Sequence, residues 1–159
     1  MKSLVLGGAI AFSAVFCPLA AETDAYSVGD SFVGFSVPDQ HGKQFNFKAG
    51  DAKFILFDTP GESGRSEHPQ DPDWFAKHHI LLVINISELS SIKRRIARSR
   101  MESKPFQLLV VDVKGIAERF PREMGKFSVL ELNEQGTITA IRFASPGKDL
   151  QEAVAGEAP

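Results

Sequence analysis

The sequence predicts an α/β domain, a sandwich with a mixed central sheet flanked by helices, and three observations predict it. Three unbroken apolar runs, "KFILF" (Lys53 to Phe57), "ILLVINI" (Ile80 to Ile86) and "FQLLVVDV" (Phe106 to Val113), read as strands buried on both faces. Helix-like segments lie between them, the layout of parallel strands joined by crossovers. Near the end, "FSVLELNEQGTITAIRF" makes a hairpin around "NEQG", which adds antiparallel strands at one edge.

The elements follow in order. The chain opens with "MKSLVLGGAIAFSAVFCPLAAETDA", which has one early Lys, an apolar run from Leu4 to Phe16, a helix-breaking Pro18 and then small residues. That is the layout of a secretory signal peptide. Residues 1–21 are assigned to it and residues 22–159 to a single domain, with cleavage after Ala25 as the alternative. Bulky Phe16 weakens a lipoprotein reading centred on Cys17. The run is short for a membrane anchor, and Pro18 interrupts it. "SFVGFSV" (Ser31 to Val37) alternates large and small residues, "PDQHGK" follows as a turn, and "QFNFKAG" sets Phe45 and Phe47 on one face. These two segments are expected to pair as a hairpin.

After "KFILF", the stretch "DPDWFAKHH" offers Asp71 as a helix cap with Pro72 at the first position. "SELSSIKRRIARSRMES" is expected to start at a Ser87 cap and to pack Leu89, Ile92 and Ile96 inward on one face. "KGIAERF" makes one or two helical turns, and "SPGKDLQEAVAG" a closing helix. The expected strands are Phe54–Phe57, Ile80–Ile86, Leu108–Val111, Ser128–Leu132 and Thr137–Phe143, the first three parallel.

Composition narrows the function. The whole chain carries 18 Lys and Arg against 20 Asp and Glu, a net charge of −2, so no general nucleic-acid binding is expected. No second apolar run is long enough to cross a bilayer, and no stable membrane insertion is expected. The one cysteine, Cys17, lies in the leader. The exported chain is therefore expected to have no thiol, no disulfide and no cysteine metal ligand. No P-loop, dinucleotide fingerprint or "HExxH" is present, and no cofactor is expected.

Several phrases, in order, resemble the thioredoxin-like superfamily, in particular its peroxiredoxin and thiol-reductase branches. "VGDSFVGFSVPDQHGKQFNF" is similar to the entrance of those domains, and "KFILFDTPGESGR" to the strand that delivers their active-site turn. "LLVVDVKGIAERF" and "VLELNEQGTI" are similar to the segments before and within their last hairpin. The resemblance runs from Val28 to about Val154 and implies a thioredoxin-like three-layer sandwich. Redox members place reactive thiols just after the strand that ends here at Phe57, and those positions fall near Glu62 and Arg65. The cis-proline that faces the thiols would fall at Phe127 or Ser128, where this chain has no proline. Two parts of the redox site are thus missing together.

The residues of the expected turn offer other chemistry only in part. Ser63 or Ser66 with His68 and a carboxylate from Glu62 or Glu67 has only half of a nucleophile elbow, and the partners crowd within a few residues. His41, His68, Asp71, Asp73, His78 and His79 do not form a recognised ligand spacing, and no metal site is assigned. The cluster Lys93, Arg94, Arg95, Arg98 and Arg100 suits either a solvated helix face or contact with an acidic partner, anionic lipid heads or a phosphate. The expectation is a cysteine-less binding module with no catalytic residues. Thr59, Pro60, Glu62, Ser63, Arg65, Phe127 and Ser128 are its candidate contact residues, and its partner is an unidentified protein or peptide. The alternative is a redox enzyme of this family whose thiol is supplied in trans.

Overall fold

The computed structural model describes residues 24–59 and 71–155. Among these residues, seven strands and four helices follow one another as β1 (Ser36–Pro38), β2 (Gln44–Asn46), β3 (Phe54–Asp58), α1 (Pro72–Lys77), β4 (Ile80–Asn85) and α2 (Ser91–Glu102), then β5 (Leu108–Val111), α3 (Lys114–Ala117), β6 (Phe127–Leu132), β7 (Ile138–Ala144) and α4 (Lys148–Ala155). The order is the one expected from the apolar runs. Five strands form one sheet in the order β5-β4-β3-β6-β7, while β1 and β2 pair antiparallel as a separate hairpin. The first three strands are parallel and the last pair antiparallel. Strand β3 lies at the centre, as an unbroken apolar run should, since every one of its residues is buried.

Alternation along the strands sorts the core into two halves. On one face, Ile55, Phe57, Val83, Leu109 and Leu130 pack against Tyr26, Phe32, Phe35, Phe47 and Phe120, from the amino-terminal segment and the turn after α3. On the other, Phe54, Leu56, Ile84, Val110, Phe127 and Val129 meet Phe75 of α1, Met101 of α2, and Leu150 and Val154 of α4. The result is the expected three layers.

Helix α1 begins as the sequence dictates. Asp71 accepts a hydrogen bond from the Asp73 N–H at 2.9 Å, and Pro72 occupies the first turn, where its missing N–H costs nothing. Helix α2 departs from expectation in two ways. It starts at Ser91, because Ser87 is held outside it: its N–H and hydroxyl donate to Asn85 Oδ1 at 3.0 and 2.8 Å. Its face is also rotated. Ile92 is 71% exposed and Ile96 48% exposed, whereas Ala97 packs on the core and Met101 is buried. Two arginines set that rotation. Arg94 donates to the carbonyls of Leu89 and Ser87 at 2.9 and 2.8 Å, and Arg98 pairs with Asp112 at 2.6 Å.

The expected strand at Ser31–Val37 is shorter than its alternation implied. Ser31 makes a lone bridge to Thr137, and the regular strand begins only at Ser36. Phe32 and Phe35, on either side of the intervening turn, fill the core as an aromatic pair 4.7 Å apart. Packing of those rings, with backbone hydrogen bonds to Gly136, Ile138 and Phe47 in place of a continuous ladder, fixes the segment.

Candidate functional site

The parallel strands β3 and β4 end together, and β6, running the other way, begins beside them. The ladder between β3 and β6 closes at Phe57 and Ser128. This is the end at which the chain leaves β3, and in open α/β sheets it is the usual ligand-facing end.

Buried polarity concentrates there. Among the described residues, six polar or charged side chains are buried, and four of them, Asp58, Thr59, Asn85 and Ser128, sit at this one end. Burying such groups is costly unless they are bonded, so their clustering points to a built arrangement. Asn85 is its organiser. Its Oδ1 accepts both Ser87 donors, and its Nδ2 reaches Thr59 Oγ1 at 3.4 Å, a long contact that still joins the ends of β3 and β4. The Ser128 hydroxyl donates to the carbonyl of Pro121, which ties the start of β6 to the loop before it. Asp58 is fully buried, and by alternation its carboxyl leaves the sheet on the face of Leu56 and Phe127.

The rim is ionic. Glu88, after β4, pairs with Arg122, before β6, at 2.9 Å, so the loops on both sides of β3 are linked. Beneath them Phe57 stacks on Phe120 with centroids 4.0 Å apart and planes 2° from parallel. That stack seats the segment which continues through Pro121 and Arg122.

Of the sequence-derived contact residues, Thr59 and Ser128 lie together at this end. Phe127 lies there too, but its ring is fully buried in the core beside the helices. As a whole residue it is 0% exposed, so it supports the site from beneath. Pro60, Glu62, Ser63 and Arg65 fall outside the described residues. Asp58, Asn85, Glu88 and Arg122 were missed. A polar residue interrupting an apolar run, such as the Asn of "ILLVINI", was the available signal.

Among the described residues no three His, Cys, Asp or Glu side chains gather as a metal site. His78 caps α1, and His79 turns away from it with φ of 52°. Two cavities among the described residues lie at the opposite end of the sheet. One of about 430 Å³ is lined by Phe45, Phe75, Phe106, His79 and Asp51. The candidate site is placed at the carboxyl end of the parallel strands by its cluster of buried polar side chains. No described helix is long and apolar enough to cross a membrane.

No family description matches the sequence, and no curated protein matches it. Solved structures do. The chain is similar to a protein assigned as the thiol:disulfide interchange protein DsbE from Chlorobium tepidum, with a TM-score of 0.58 and 13% identity, covering 84% of this chain and 96% of that one. It is similar to a thio-disulfide isomerase from Thermus thermophilus, with a TM-score of 0.54 and 17% identity over 84% and 98% of the two chains. A peroxiredoxin-like protein from Aquifex aeolicus gives 0.51 and 12% over 84% and 89%. The central β3, the parallel trio and the closing hairpin are what these likenesses share with the expectation from sequence. The chain has the thioredoxin-like fold, and its one cysteine, Cys17, precedes β3 in the sequence.

Proposed function

We propose that this protein is an exported thioredoxin-like domain that binds a protein or peptide at the carboxyl end of its sheet and does not itself exchange disulfides. One observation carries the reading: the end of the sheet keeps a built polar floor of Thr59, Asn85 and Ser128, while no thiol follows β3. Disulfide exchange needs a thiolate to attack sulfur, and neither Glu62 nor Arg65 can form a mixed disulfide. The leader supports export, and its removal takes the only cysteine with it. On this reading the contacts come from Thr59, Pro60, Glu62, Ser63, Arg65 and Ser128, with buried Phe127 behind them.

The descriptions of the similar structures favour a second reading, redox chemistry with the thiol supplied by a partner. An insulin-reduction assay separates the two. The protein is expected to show no turnover above that of free dithiol, and Arg65→Glu is expected to weaken partner capture from an envelope fraction while the thermal melt stays unchanged. Turnover that exceeds free dithiol and needs an added thiol protein would establish the second reading instead.

A further inference from the structure

Helix α2 shows solvent its isoleucines and keeps two of its arginines against the domain. Ile92 and Ile96 stand one turn apart, 71% and 48% exposed, and Ser99 continues the same stripe. Lys93 and Arg100 flank the stripe on one side and Arg95 on the other, by helical spacing. The ion pairs of the described residues use none of these three cations, and the helix carries only one acidic residue, Glu102. Arg94 and Arg98 are committed to carbonyls and to Asp112, so the rotation that exposes the isoleucines is anchored.

We propose that this face is a peripheral docking surface for an anionic lipid bilayer. The charge selects the class of occupant. A second copy of the same face would bring three cations against three, so self-association is disfavoured. An anionic surface receives all three. The shape selects the lipid. The stripe is a convex ridge with two large apolar side chains, too small for the buried core of a protein interface of ordinary size. A helix lying in the headgroup plane needs only this arrangement: apolar side chains at the acyl boundary and cations level with the phosphates. Binding is reversible and salt-sensitive, not an insertion.

The test uses the full chain expressed with its own leader, in a Cys17→Ser background, with an environment-sensitive dye at Ser99→Cys and a control dye at Glu134→Cys. Vesicles containing phosphatidylglycerol at low salt are expected to shift the Ser99 dye to the blue, leave the Glu134 dye unchanged, and lose the effect at high salt. Pure phosphatidylcholine vesicles should give no shift. Replacing Lys93, Arg95 and Arg100 together with Gln is expected to weaken binding by roughly a hundredfold. Ile92→Ser with Ile96→Ser should weaken it about tenfold. No shift with the anionic vesicles, or an equal shift with neutral ones, overturns the proposal. So does a polyglutamate chain that gives the same blue shift and displaces the vesicles, which would assign the face to acidic polypeptides.

Discussion

Tyr26 is a single residue in which burial, charge and packing are in tension. Its ring is 4% exposed, meets Phe32 and Phe120, and carries the Arg119 guanidinium 4.3 Å above it. Burial pushes its phenol above the ordinary value of 10.0, Arg119 pulls it down, and Asp30 adds to the rise. The raised value fixes the sign: the folded state favours the neutral phenol. Its contribution is complete below about pH 10 and is lost as pH climbs through the raised value. Stability should therefore fall on the alkaline side, and Tyr26→Phe should flatten that fall. Tyr26 is the chain's only tyrosine, so its phenolate absorbance can be titrated without interference. An ionisation at or below the ordinary value would contradict this account. The same scale shows what could be read of the site. Ser128, one of the two positions where the resemblance puts the cis-proline, lies beside the end of β3. Asn85 was not found, because within "ILLVINI" periodicity reports burial and says nothing of which buried residue bonds across strands.

At the scale of elements, the β6–β7 hairpin shows how a turn is fixed from both sides. Gly136 has φ of +77°, and its N–H donates to the Asn133 carbonyl at 2.9 Å, so the turn needs a residue at ease in left-handed backbone. A Cβ there would also sit 2.7 Å from Val33 Cγ2. Gly136→Ala should cost about 1–3 kcal/mol from backbone strain and push Val33 away from the turn. Gly50 has φ of +86° but open space around it, so Gly50→Ala should cost less. Urea midpoints of the two variants measure the difference; equal losses would mean that the Val33 contact gives way freely. The elements themselves were largely legible, since strands and turns declare themselves through local pattern. The face of α2 was not. Leu89, Ile92 and Ile96 form the apolar stripe in sequence, yet Arg94 and Arg98 find carbonyls and Asp112 that lie far along the chain or outside the helix. Those bonds to charged donors outweigh two exposed isoleucines, and no helical period reports them. The Ser87 cap failed for a similar reason, because Asn85 had already bonded that serine.

For the whole molecule, the consequence of a central β3 is an uneven distribution of stability. Strand β3 is laddered to β4 on one side and β6 on the other, and it has core on both faces. To open Ile55 or Leu56, the domain must break both ladders and expose both halves of the core, which amounts to global unfolding. The β1–β2 hairpin has three residues to a strand, and β2 leaves Gln44 and Asn46 exposed. It can open locally at far smaller cost. Native-state hydrogen exchange should therefore find the slowest amides in β3, β4 and β6, with the amides of β2 exchanging well before them. The functional consequence is geometric. Thr59, Asn85 and Ser128 each lie at or immediately after the ends of these three strands, so the floor of the candidate site belongs to the most stable part of the protein. On the reading proposed above, a partner would then meet a fixed floor. Amides of Leu82 to Ile84 that exchange as fast as those of β2 would separate the sheet from the cooperative core and remove the rigid floor from under the site.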